Sequence, residues 1–409
     1  MNLRPAFETI WQPALLLVVA SLYATPGLTP YTAPAIPAFL PLGIALVGMV
    51  LGWRFQRSCA LYALIALVCI YAMLGQLDGQ PPSTNTLGQI LYAGAAVLLP
   101  INLAVFAYLE ERGLFSRWGL IRLILLLAQV GLIYLITHEA PPSLQDQAAV
   151  LLHFRLMSSE MDKWTYLPQP ALIAFTLSFI AIAVRLLMTA APLVAGLLGA
   201  MIASTIALHL AGNPLAIDAF LTAAMAIITA AVIQDTFRMA FIDELTGIPG
   251  RRALVSDMKR LGGRYVIAMA DIDHFKKFND THGHDVGDQV LQMVADRLSK
   301  ISGGGKAYRY GGEEFTFLMP GKNVDTALKH LDAVRQLVEQ SSFHIRDKER
   351  PKKKSKTKPT KSSRNVVSVA VSIGVAEPKS TGDKPEAVLK AADQALYRAK
   401  EAGRNQVAR

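Results

Sequence analysis

With 409 residues, 52% hydrophobic, only 18% charged and a mean hydropathy of +0.33, the chain is too apolar for an ordinary soluble protein and too charged for a bare membrane bundle. Its net charge of +10 does not argue for nucleic acid, because residues 346–364 alone hold ten Lys or Arg against Asp347 and Glu349. Cys59 and Cys69 share one apolar run without metal-ligand spacing, which excludes a disulfide scaffold and makes them packing residues.

In chain order, residues 1–233 read as a multi-pass transmembrane domain with a sensory or anchoring role. A spanning helix needs about 20 mostly apolar residues. Eight candidates follow one another, at 11–24, 36–53, 59–74, 87–108, 120–136, 170–187, 192–210 and 215–232. The first is short and proline-bounded, and with Arg4 before it and small residues near Ala24 it also resembles a cleaved signal. Arg4, Arg54, Arg57, Arg112, Arg117, Arg122, Arg185 and Arg238 flank alternate ends of the spans, which puts both termini on the cytoplasmic side. A bacterial inner-membrane location with the C-terminal domain in the cytoplasm follows.

The loop 138–169 contains His138, His153, Trp164 and Tyr166; an amphipathic surface helix near 148–157 is favoured there over a ligand-sensing element. His209 and Asp218 are costly in lipid and are expected to face the bundle interior. Residues 234–242 are a short helical linker. Phe237, Ala240, Phe241 and Leu245 fall there at helical spacing, which suits either a helix contact in a dimer or a core contact within one chain.

Residues 243–409 read as one soluble α/β domain. The pattern predicts a helix at 251–261, a strand at 265–270, a helix at 286–301, strands at 306–310 and 315–319, a helix at 324–341, a strand at 366–374 and a helix at 385–402. Without its first helix this is a β-α-β-β-α-β order, the split ferredoxin-like arrangement. Gly311 and Gly312 suit the φ > 0 positions of a tight hairpin turn that would carry Glu313 and Glu314 beside Asp271 and Asp273. Three or four carboxylates on one sheet edge repel one another and call for a cation, with Mg²⁺ and a phosphate substrate as the natural occupants. By itself an Asp-x-Asp at a strand end more often marks a turn or a helix cap.

The motifs around it point further. Asp-Glu-Leu-Thr-Gly-Ile-Pro-Gly-Arg-Arg (243–252), Asp-Ile-Asp-His-Phe-Lys-Lys-Phe-Asn-Asp (271–280), Gly-His-Asp-Val-Gly-Asp (283–288), Arg-Tyr-Gly-Gly-Glu-Glu-Phe (309–315), Ser-Ile-Gly-Val-Ala (372–376) and Ala-Lys-Glu-Ala-Gly-Arg-Asn (399–405) occur in this order. With them the domain resembles the GGDEF family of diguanylate cyclases, which join two GTP into cyclic di-GMP and two pyrophosphates. The resemblance implies that Asp271, the Ile272 carbonyl and Glu313 hold metal, two Mg²⁺ per site with Mn²⁺ as an alternative ion. Glu314 would support that cluster, and Glu313, Glu314 and Lys276 would be the catalytic set. Lys276, Lys400 and Arg404 would contact the triphosphate. Asn279, His284 and Asp288 would bind the nucleotide, with Phe275, Gly311 and Gly312 completing the substrate site. A carboxylate at Asp288 can accept from guanine N1–H and the 2-amino group, a pattern adenine does not offer.

One guanine-reading set serves one GTP, so the resemblance implies a homodimer regulated from the membrane domain. A catalytically silent GTP-binding or signal-relay domain attached to a receptor or transporter is the alternative. The Arg-x-x-Asp product-binding motif of many relatives is replaced by Ser302-Gly303-Gly304-Gly305, so feedback inhibition through it is not expected. Family-typical Asn is Gly250 here, while Arg251 and Arg252 remain. The basic insertion at about 346–364 cannot bury a core and reads as disordered or as a loose hairpin. Attraction to anionic lipid is its sharper reading, and nucleic acid ranks behind because no aromatic residue is interleaved.

Overall fold

The structure, a computed structural model of the chain, describes residues 4–25, 36–37, 39–77, 85–156, 158, 164–344, 366–380 and 383–409. The basic insertion therefore lies outside the described residues. The chain divides into two units, Met1–Phe237 and Arg238–Arg409.

The first unit is helical: α1 (Arg4–Ala24), α2 (Phe39–Arg54), α3 (Ser58–Gly75), α4 (Thr86–Tyr108), α5 (Arg117–His138), α6 (Pro142–Leu152), α7 (Gln169–Thr189), α8 (Pro192–His209) and α9 (Pro214–Phe241), the last of which contains the unit boundary. Among the described residues, six helices (α3, α4, α5, α7, α8 and α9) are long and apolar enough to cross a membrane, and the apolar stretches Thr9–Ala24 and Phe39–Arg54 are shorter. On α5 only Gly119, Leu126, Ile133 and Thr137 are buried, while Ile124, Leu125, Leu127, Leu132 and Leu135 face outward. An apolar outer surface of this kind suits a lipid surround rather than water. The surface helix of the long loop is α6, which starts earlier than 148 and ends at Leu152. Trp164 packs on His209 with ring centroids 5.2 Å apart, and both His209 and Asp218 are half-buried.

Polar side chains collect at one end of the bundle. Glu111 accepts from the Ser58 hydroxyl (2.9 Å) and the Cys59 amide (3.1 Å), capping α3 where its N–H groups lack helical partners. Arg122 donates to the Glu110 carbonyl (3.0 Å), Tyr62 to the Gly119 carbonyl (2.9 Å), and Arg57 pairs with Asp235 of α9 at 2.7 Å. The cysteines are free, as expected of packing residues.

The second unit is built on β1 (Tyr265–Ile272), all eight residues of which are buried. Such a strand must lie inside a sheet covered on both faces. Antiparallel partners flank it: β3 (Glu314–Pro320) on one side and β6 (Val371–Ala376) on the other, in the sheet order β2-β3-β1-β6-β7 with β2 (Lys306–Gly311) and β7 (Val407–Ala408) at the edges. Val266, Ala268, Ala270 and Ile272 point to the face covered by α12 (His284–Leu298) and α13 (Val324–Glu339). Tyr265, Ile267 and Met269 point to α10 (Arg251–Met258) and α14 (Pro385–Glu401). Phe241 and Leu245 are partly buried against these cores, while Phe237 is exposed.

Three features depart from the sequence pattern. The strand expected at 366–374 is two: β5 (Val366–Ser368) leaves the main sheet to pair with β4 (Ser342–His344), and β6 begins only at Val371. A short helix, α11 (Phe275–His282), precedes α12; its two turns are too brief to show a helical period. At the Gly311–Gly312 hairpin only Gly312 takes positive φ (+52°), and the register shifts between Arg309 and Gly311.

Candidate active site

Asp271, the penultimate residue of β1, lies in register with Glu314 of β3 and Ser372 of β6, and its side chain is buried. The Ile272 amide meets the Glu313 carbonyl at 3.4 Å, so the hairpin turn folds back over the end of β1. Glu313 and Glu314 are half-buried beside it. Burial pushes the Asp271 carboxyl above its ordinary range even though Lys400 of α14 sits on it at 2.9 Å. Glu313 and Glu314 are pushed up in the same direction, first by burial and then by the charge of Asp271. Burial, with neighbouring negative charge added, thus holds three acids above their ordinary range, and Lys400, Arg404 and Arg251 oppose that shift.

Among the described residues no three His, Cys, Asp or Glu side chains come together as a ready metal-ligand set. The expected convergence of three or four carboxylates is corrected on one point: Asp273 turns away from the edge. Its Oδ1 accepts from the Ser372 hydroxyl (2.7 Å) and its Oδ2 from the Asn405 amide (3.0 Å). The residues left fit a cation held by the Asp271 and Glu313 carboxylates and the Ile272 carbonyl, hard oxygen donors that need compensation.

The turn after β1 positions the rest. His274 adopts a left-handed conformation (φ +59°), which swings the chain directly into α11 and leaves the first amides of that helix without helical partners. Phe275 is buried in the core while Lys276 is exposed. Asn279 sits one turn on, with its Oδ1 shielded from solvent and lacking a hydrogen-bond partner among the described residues. A Cβ at Gly287 would collide with this oxygen, so the glycine makes room for Asn279 between α11 and α12. His284 and Asp288 lie exposed one turn apart on α12. An orphaned acceptor next to an exposed carboxylate suits a flat ligand carrying adjacent N–H donors.

The predicted residues thus fall into two groups. Asp271, Glu313, Glu314 and Lys400 share one electrostatic cluster, to which Arg404 contributes by opposing the upward shift of Asp271. Phe275 and Asn279 meet at Gly287, on the helix that carries His284 and Asp288. Gly311 and Gly312 are exposed at the hairpin tip.

Sequence reasoning missed the residues that brace the site. Arg309 pairs with Asp243 (2.8 Å) and donates to the Gly312 carbonyl. Arg335, Glu339 and Asp273 surround Asn405. Asp243, Arg309 and Asn405 lay inside motifs already singled out, but Arg335 and Glu339 sit on α13 with no local signal.

Residues 240–406 match the family described as "Diguanylate cyclase, GGDEF domain". The response regulator PleD of Caulobacter vibrioides is 39% identical over 183 residues, 43% of this chain and 37% of PleD. The diguanylate cyclase VdcA of Vibrio cholerae is 39% identical over 172 residues, 41% of this chain and 46% of VdcA. The chain therefore spans less than half the length of these curated relatives. Among solved structures, the coiled coil and GGDEF domain of DgcB from Caulobacter crescentus, in complex with c-di-GMP, is 31% identical, covering 43% of this chain and 88% of that one with a TM-score of 0.37.

Proposed function

We propose, from the premise that residues 240–406 of this chain form a GGDEF domain, that the protein is a membrane-bound diguanylate cyclase that condenses two GTP into cyclic di-GMP and two pyrophosphates. The observation that carries the proposal is the acidic cluster of Asp271, Glu313 and Glu314 around Lys400, charge-deficient and lying at the end of a buried strand.

In this reading Asn279 and Asp288 hold the guanine edge, His284 contacts the nucleotide, and Phe275 walls the pocket. Lys276, Lys400 and Arg404 neutralise the triphosphate, and the exposed Gly311–Gly312 tip lets substrate approach the backbone. The 3′-hydroxyl of one GTP attacks the α-phosphorus of the other in line. A bond forms between O3′ and phosphorus, the bond from that phosphorus to the β-bridging oxygen breaks, and pyrophosphate leaves with the electron pair. Glu313 accepts the hydroxyl proton, a role that its upward-shifted carboxyl suits because its basicity is closer to neutral. Magnesium bound at Asp271, the Ile272 carbonyl and Glu313, with Glu314 in support, would acidify the hydroxyl and offset charge on the leaving group. Two such bonds close the ring, and since each domain holds one GTP, two copies must face each other as a homodimer.

The connection order β1-α12-β2-β3-α13-β6 and the sheet order support a ferredoxin-like fold with α10, α11 and α14 added. For the helical unit we favour eight spans in a bacterial inner membrane, with both termini and the GGDEF domain cytoplasmic. The gathering of Arg57, Glu111 and Arg122 at one bundle end supports that orientation. A stimulus received by this unit would act on the pairing of the cyclase domains.

The test is to incubate the purified full chain with GTP, ATP or both and Mg²⁺, and to identify products by mass. Cyclic di-GMP from GTP alone, lost in Glu313→Ala, is expected. A verified dimer that binds GTP but makes no cyclic dinucleotide would reduce the domain to a silent relay.

A further inference from the structure

Three consecutive residues after α14 take left-handed backbone: Gly403 (φ +115°), Arg404 (φ +65°) and Asn405 (φ +43°). Glycine does so freely, but two side-chain-bearing residues in succession do not, because each Cβ crowds its carbonyl. Such a conformation persists only where the surroundings over-determine it, and here they do so at Asn405. Its amide donates to the Asp273 carboxylate (3.0 Å), its side-chain oxygen accepts from Arg335 (2.8 Å), and its side-chain nitrogen donates to Glu339 (2.6 Å). Arg335, with its side chain only 12% exposed, is itself clamped by Asp332 (2.7 Å) and Glu339 (2.9 Å). Asp273 is fixed in turn by Ser372 (2.7 Å). These groups belong to α13, β6 and the turn after β1, so the Asn405 side chain and amide tie three elements together.

We infer that Asn405, gripped by Asp273 and by the Arg335–Glu339 pair, is a positioning residue that holds Arg404 in its left-handed conformation and so aims the guanidinium at the triphosphate end of the Asp271 pocket. Arg404 already bears electrostatically on Asp271. Its backbone is anchored on the near side by its own amide on the Ala399 carbonyl (3.0 Å). On the far side Gln406 is tied by its carbonyl to the Ile373 amide (2.9 Å) and by its side chain to the Ala399 carbonyl (3.0 Å), so loss of the Asn405 side-chain grip loosens the turn between these anchors, and relaxation of one residue to negative φ redirects the long side chain away from Asp271. Asp273 thus acts on nucleotide binding through the backbone of Asn405 rather than by touching metal. The inference rests on the reading that Arg404 faces a nucleoside triphosphate.

The test is a double-mutant cycle read by binding of the non-reactive α,β-methylene analogue of GTP to the full-length protein in detergent. Arg404→Ala and Asn405→Ala should each weaken binding by about tenfold, the loss of one charge-assisted contact. The double variant should bind no worse than Arg404→Ala, since both remove the same contact. Asn405→Gly, which tolerates positive φ, should recover most of the affinity, and Arg335→Gln, which leaves the turn itself untouched, should reproduce part of the loss if Asn405→Ala fails to fold. Additive losses of about a hundredfold in the double variant, or unchanged affinity in both Asn405→Ala and Arg335→Gln, would overturn the inference while the reading of the site stands. A wild-type chain that does not bind the analogue would bring down that reading and the inference together.

Discussion

Arg309 and Asp243 form an ion pair at 2.8 Å in which the same guanidinium also grips the Gly312 carbonyl at 2.8 Å. One side chain therefore links the first residues of the second unit to the hairpin that carries Glu313. Asp243 further accepts from the amide and the hydroxyl of Thr246 (2.9 and 2.6 Å). Substituting Asp243→Asn should cost about 1–3 kcal/mol by leaving Arg309 half-buried without its counter-charge. The turnover of GTP should fall more than the affinity, because the displaced element is the Glu313 turn; steady-state kinetics with a thermal melt measure both.

The same carboxylate gives a pH signature. Burial alone would raise Asp243, but the hydrogen bonds from Thr246 and Arg309 outweigh it and hold the carboxyl below the ordinary range. Because its folded value is depressed, its stabilisation is fully present above the unfolded value near about 3.9 and is lost as pH falls through the folded one. Acid melts of the wild type and Asp243→Asn should therefore differ by a constant amount above about pH 4 and draw together progressively below it, as pH falls through the depressed folded value. A constant difference down to the most acid point would contradict this assignment.

The opposite sign applies at the pocket, where Asp271, Glu313 and Glu314 are all raised. Burial of these carboxylates, with the charge of Asp271 added for Glu313 and Glu314, opposes folding at neutral pH and is relieved by protonation. Glu313→Gln should raise the melting temperature in metal-free buffer by a few degrees, about 0.5–1 kcal/mol, while abolishing cyclic di-GMP formation. A melting temperature that drops instead would mean Glu313 is paired rather than repelled.

Gly374 of β6 lies so close to α14 that a Cβ would enter the backbone at Leu396 and Ala392. No side chain can move to accept it, and the helix would have to lift off the sheet together with Lys400. Gly374→Ala should destabilise the domain by about 3 kcal/mol or more and weaken nucleotide binding in whatever fraction folds, as chemical denaturation and binding assays would read.

In the helical unit, Arg57 and Asp235 pair at 2.7 Å with side chains only 19% and 13% exposed. Arg57→Ala removes the ion pair from a largely covered carboxylate on α9 and should cost about 1–3 kcal/mol of thermal stability in detergent. The charge exchange Arg57→Asp with Asp235→Arg should restore part of it, and a double variant no better than the single one would argue against a direct pair.

Legibility in the sequence followed the range of the interactions. The carboxylate, lysine and glycine motifs were readable because β1, its turn and the hairpin are local elements whose chemistry is written in consecutive residues. The helices long enough to show a period were readable too. What escaped was set by distant partners. Asp273 resembles a second metal ligand until Asn405 and Ser372, remote in sequence, claim its two oxygens. The break between Ser368 and Val371 is invisible in an apolar run whose first half pairs with β4 instead of β1. A two-turn α11 carries too few residues to announce itself beside the long α12.

The β4–β5 ribbon places His344 and Val366 opposite each other in a two-stranded sheet separate from the five-stranded one. The pairs Ser342–Ser368, Phe343–Val367 and His344–Val366 fix both ends of the connection, and doubling the length of a connection between fixed ends costs only about 0.6 kcal/mol of closure entropy. A reporter or targeting peptide grafted between His344 and Val366 should therefore leave the five-stranded sheet intact.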